Sequence, residues 1–147
     1  MDNGTVTIGN KVWNVQIASS PADIQQGFSG VTGTPFQTGI LFNLGLPYTG
    51  LTINMHLMLF PLDIAFIDSN GRVVDIALGV QPLHDYVSNS TYSSFMEVNA
   101  GELADLRIGD NVTTSNSRSL TAGINFNIII QAMLVIMIMK MMMGAVK

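Results

Sequence analysis

The 147-residue chain has no cysteine, which excludes disulfides, thiolate catalysis and every cysteine-based metal site. Charge is scarce as well: only 11% of residues are Asp, Glu, Lys or Arg, against about a quarter in ordinary soluble domains. With a formal net charge of −4 and six Lys plus Arg scattered along the sequence, there is no basic stripe to neutralise phosphates, so nucleic acid is not expected as a partner. The opening residues MDNGTVTIGNKVWNV lack the charged n-region and apolar h-region of a secretory leader, so export by that route is not expected. Phosphate loops of the Gly-x-x-x-x-Gly-Lys-Ser/Thr type are missing, and Ser93-Ser94 has no Gly-x-Ser-x-Gly elbow around it. Asn-X-Ser/Thr triplets at Asn3, Asn89 and Asn111 are what a chain this rich in Asn, Ser and Thr contains by chance.

Apolar residues are plentiful, at 48%, and their patterning is mostly that of strands. Val12 to Ala18 alternates bulky apolar and polar residues, the mark of a half-buried strand. Ser19-Ser20-Pro21 supplies an N-cap and an N1 proline for a short helix over Ala22 to Gln26, stopped by Gly27. A Gly/Thr/Pro-rich loop to Thr38 precedes a strand over Gly39 to Leu44, and Leu46 to Gly50 reads as a turn. Proline cannot donate to a ladder, so Phe60-Pro61 divides the apolar stretch Leu51 to Asp68 into two strands. Ser69-Asn70-Gly71 then supplies the positive φ of a tight hairpin within LDIAFIDSNGRVVDIALG. A loop over Gln81 to Thr91, a strand over Ser94 to Ala100, a helical turn over Glu102 to Leu106 and a last strand over Asn111 to Thr114 complete a β-rich domain spanning 1–113.

The order and spacing of several short motifs resemble a prokaryotic family known as the domain of unknown function number 192. Gln26-Gly27-Phe28 is similar to its Gln/Arg-Gly-Leu element, and Gly39-Ile40-Leu41-Phe42 to its Gly-Met-Leu-Phe. Pro61-Leu62-Asp63-Ile64-Ala65-Phe66-Ile67-Asp68 resembles Pro-Leu-Asp-Ile-x-Phe-Ile-Asp. Glu97-Val98-Asn99-Ala100-Gly101 and Ile108-Gly109-Asp110 resemble its closing elements. The resemblance covers about residues 12–113 and implies a small β-barrel or roll with short helices, often exported or envelope-associated, with no established reaction. Before Pro61 such relatives carry Met-Lys-Asn-Thr where this chain has Met55-His56-Leu57-Met58, so that only His56 could stand in for the lysine.

The motif residues His56, Asp63, Asp68, Glu97 and Asn99 form the candidate site, and His84-Asp85 adds a second titratable pair in a polar loop. None has a diagnostic metal or acid–base spacing, so no catalytic residue and no cofactor is assigned. His56 in an apolar run reads first as a core or interface histidine. Asp63 between Leu62 and Ile64 reads as a buried carboxylate accepting backbone N–H groups, and Asn99-Ala100-Gly101 as a turn former.

A polar linker over 114–123 leads to the apolar tail 124–147. Ile124 to Met143, read as a helix, is about 30 Å long and matches the hydrocarbon core of a bilayer. Asn125, Asn127, Gln131 and Lys140 interrupt it, which suits a span inside an assembly or a helix packed in a protein core. Ile128, Ile129, Ile130, Met133, Leu134 and Met137 are the residues expected to meet lipid or protein there. The tail's methionines, Met133, Met137, Met139, Met141, Met142 and Met143, are soft donors suited to Cu(I), but without Cys or His beside them they read first as packing residues. Three functions follow as expectations. The first is a non-catalytic accessory or binding domain tethered to a membrane or membrane complex. The second is a structural subunit of a homo-oligomer or large assembly such as a virus particle. The third is a metal-handling or enzymatic domain using Asp63 and His56.

Overall fold

A computed structural model of the chain describes residues 1–26, 32–55 and 58–117. These form β1 (Asp2–Ile8), β2 (Lys11–Ala18), α1 (Pro21–Gln26), β3 (Thr38–Tyr48), β4 (Thr52–Asn54), β5 (Leu62–Ile67), β6 (Val73–Val80), β7 (Asp85–Val87), β8 (Tyr92–Asn99) and β9 (Val112–Ser117). Seven strands make one sheet in the order β6-β5-β8-β3-β2-β1-β9, and β4 pairs with β7 in a small second sheet. Among the described residues only β2 and β3 run parallel, with α1 between them in the chain, and its first turn is capped by the Ser20 hydroxyl accepting the Asp23 N–H at 3.1 Å.

The fold is mainly β, as expected, but the sheet is not closed into a barrel. Its edges touch at one corner, where the Val73 N–H donates to Asp110 O (3.0 Å) and the Val112 N–H to Gly71 O (2.8 Å) around an Arg72–Asn111 bridge. The ladder cannot lengthen from there. Residues beyond Val112 would need partners before Gly71, where β6 has already given way to a turn.

Four local readings also change. The opening residues form β1, paired with β2 from Asp2↔Ile17 to Ile8↔Lys11, and Gly9 takes φ 63° at the first central position of their two-residue turn. The segment read as a turn over Leu46 to Gly50 belongs in part to β3, which continues to Tyr48 past a break in register after Asn43. Glu102 to Leu106 is a succession of turns, with Leu106 N bonded to Leu103 O at 3.0 Å, and β9 extends to Ser117.

Strand β5 is buried at every position and separates two apolar layers. Leu62, Ile64 and Phe66 join Ile40, Phe42, Ile53, Met55 and Phe95 on one face, covered by β4 and β7. Ala65 and Ile67 join Val6, Trp13, Val15, Leu41, Met96, Val98 and Leu103 on the other. Phe66 anchors the first layer, 5.5 Å from the Tyr86 ring and 4.7 Å from that of Tyr92. Continuous burial on both sides explains why this segment is the densest apolar run before the tail.

Candidate functional site

The motif carboxylates occupy three different environments. Asp63, on the β5 face opposite Leu62 and Ile64, is fully buried. Its Oδ1 accepts the Gly79 N–H at 2.7 Å, and its Oδ2 accepts those of Gly101 and Leu103 at 2.8 and 3.0 Å. The side chain therefore fastens the β6 bulge at Gly79 and the turn after β8 to one point, the backbone-binding role expected of it. Asp68 serves the hairpin: its Oδ1 accepts the Asn70 and Arg72 N–H groups at 2.9 and 3.0 Å. Within Ser69-Asn70-Gly71, read as the source of positive φ, Gly71 alone is left-handed, at φ 74°.

Glu97 is fully buried, and neither carboxylate oxygen has a hydrogen-bond partner among the described residues. It lies across from Ile40 on β3 and Ile64 on β5, both members of the first apolar layer. Desolvation pushes its pKa well above the usual carboxylate range, so the neutral acid is favoured. In the same layer, burial alone raises Tyr92 to about 12, while Tyr86 is raised to about 12 by burial and by Asp75, whose Oδ2 accepts its hydroxyl proton at 2.6 Å. His56 lies outside the described residues, as do Ile128, Ile129, Ile130, Met133, Leu134 and Met137. His84 is exposed, and its Nδ1 is 3.2 Å from Pro82 O. Among the described residues no three His, Asp or Glu side chains are gathered as a metal site, and no helix is long and apolar enough to cross a membrane.

Asn99 leads to a cleft that motif reasoning did not anticipate. Lys11, Trp13, Phe36, Gln37 and the segment Asn99–Glu102 line a cavity of about 510 Å³ at the sheet end where β2 and β3 begin and β8 finishes. Asn99 Nδ2 donates to Thr34 O at 2.7 Å, which ties the segment carrying Phe36 to the end of β8. Phe36 itself is 75% exposed. Glu102 is nine-tenths buried, with Oε1 accepting from Trp13 Nε1 (2.8 Å) and the Gln37 N–H (3.1 Å). Its Oε2 is buried and has no partner among the described residues. Gln37 holds φ 55°, a left-handed conformation uncommon outside glycine, while its N–H meets Glu102. Asp63 sits beneath this arrangement, because the N–H groups it holds flank Glu102 in sequence. Glu102 carries no sequence signal of its own, since its partners Trp13 and Gln37 are 89 and 65 residues away.

Over residues 4–114 the chain matches the family DUF192, described as an uncharacterized ACR. Among solved structures it is similar to a protein of unknown function from Novosphingobium aromaticivorans DSM 12444, with 26% identity, 76% of this chain and 83% of that chain covered, and a TM-score of 0.66. A Sinorhizobium meliloti 1021 protein, provisionally named a transcription regulator, superposes with a TM-score of 0.67 over 77% of this chain and 92% of its own. At 22% identity that likeness is one of fold alone. No curated protein matches the chain.

Proposed function

The chain belongs to the DUF192 family, and from that premise we propose that it is a non-catalytic binding domain whose recognition element is the cleft at the Asn99–Glu102 turn. The observation that carries this reading is the cleft itself: aromatic walls, a buried carboxylate with one unused acceptor, and a volume within the range of small-ligand sites. Asp63 supports binding over acid–base chemistry, because it is fully buried and both of its oxygens accept backbone N–H groups. In this reading the tail 124–147 tethers the domain to a membrane or membrane complex, supported by the length and apolarity of Ile124 to Met143.

The test for the cleft is a chemically diverse fragment library screened against the isotope-labelled full chain by amide and indole NMR shifts. Hits are expected to move Trp13 Nε1–H, Gln37 and Gly101 together. Hits that spread over the surface, or concentrate elsewhere, would remove the cleft as the recognition element.

A further inference from the structure

The cleft's chemistry narrows what it takes. Glu102 is nine-tenths buried and has only neutral partners, both on Oε1, while Oε2 remains unused. A buried carboxylate lone pair without a donor is costly, and a charged donor satisfies it better than a neutral one. Lys11, the cation among the lining residues, is engaged elsewhere, with its Nζ 3.2 Å from Asp105 Oδ2. Lys11, Asp105 and Glu102 together carry one net negative charge. Phe36 completes the pattern, since its largely exposed ring is among the residues lining the cleft, and an aromatic face attracts cations.

Building on the binding reading above, we infer that the cleft takes an organic cation, a guanidinium or alkylammonium group that donates to Glu102 Oε2 and lies against the Phe36 ring. Such a group occurs on free polyamine-like molecules and on the basic side chains of peptides, and the two sources share this chemistry.

Trp13 is the single tryptophan of the chain and donates to Glu102, so its fluorescence reports on the cleft directly. The experiment titrates the full chain in detergent micelles with agmatine, butylammonium and acetyl-Ala-Arg-Ala-amide. Acetyl-Ala-citrulline-Ala-amide is the control, because it keeps N–H donors but not the charge. A saturable change in Trp13 emission is expected with the cations, and binding of the citrulline peptide at least about tenfold weaker. Glu102→Gln, which keeps an acceptor for Trp13 and Gln37 but loses the charge and the second acceptor, should weaken the cations at least about tenfold. Phe36→Ala, at an exposed position, should weaken them by about three- to tenfold with the fold unchanged. Tighter binding of the arginine peptide than of agmatine would assign the source to a protein partner, and the reverse to a free amine. Equal affinity for citrulline, or full affinity in Glu102→Gln, would overturn the cation inference. Fragments of other chemistry that still map to Trp13 and Gly101 would then leave the cleft as a binding site, whereas no ligand of any class there would sink both.

Discussion

Glu97 and Asp63 are buried acids of opposite character, and their variants should respond differently. Glu97 has no partner among the described residues and its folded pKa is raised by desolvation, so the native state holds a proton that the unfolded chain releases. Stability is therefore full below the ordinary carboxylate pKa and falls as pH rises from there toward the folded value. Urea unfolding followed by Trp13 fluorescence should show this decline, and Glu97→Gln should flatten it. A parallel pH dependence in the variant would contradict the assignment. Asp63 instead accepts three backbone N–H groups, with both oxygens engaged. Asparagine can replace only one oxygen and would turn an N–H toward donors, so Asp63→Asn should cost about 2–3 kcal/mol in the same assay. The backbone-binding role of Asp63 was legible because an acid between two core residues must find donors once buried, although the groups that supply them, 16, 38 and 40 residues away, were not. Glu102 was not, because its meaning depends on Trp13 and Gln37, which only the folded sheet brings to it.

Strands with alternating or β-branched patterns, β2, β5 and β6, were readable from the sequence, as was the short helix with its serine cap. β1 was missed because DNGTVTI is rich in turn formers, although the Gly9-Asn10 step that joins it to β2 is itself a hairpin signal. β7 was missed because three residues inside a polar loop carry no period, and it exists through pairing with β4. Two glycines show how tightly the ladders are specified. Gly71 closes the β5–β6 hairpin at φ 74°, with room for a Cβ limited by Val112 O at 3.1 Å, so Gly71→Ala should cost about 1 kcal/mol or more. Gly39 lies where a Cβ would collide with the backbone oxygen of Glu97 on the neighbouring strand. Gly39→Ala should therefore force β3 and β8 apart and lower the melting temperature far more than Gly71→Ala, as calorimetry would register.

For the molecule as a whole, the mainly β character followed from the sequence, whereas barrel closure did not. Closure depends on whether two edges can form a ladder, and here the turn at Gly71 ends β6 at the one corner where the edges meet. The tail is a matter of composition: twenty residues from Ile124 to Met143 with one charge, following a β domain that places its cleft at one end of the sheet. We propose that this domain works as a binding unit held to a membrane by that tail. Vesicle flotation after carbonate washing, comparing the full chain with one ending at Thr121, tests it most directly. The full chain should float with the vesicles and require detergent for release, while the shortened chain stays at the bottom of the gradient. A full chain that sediments as a large soluble particle, beside a monomeric shortened form, would contradict the tether and make the tail an assembly element.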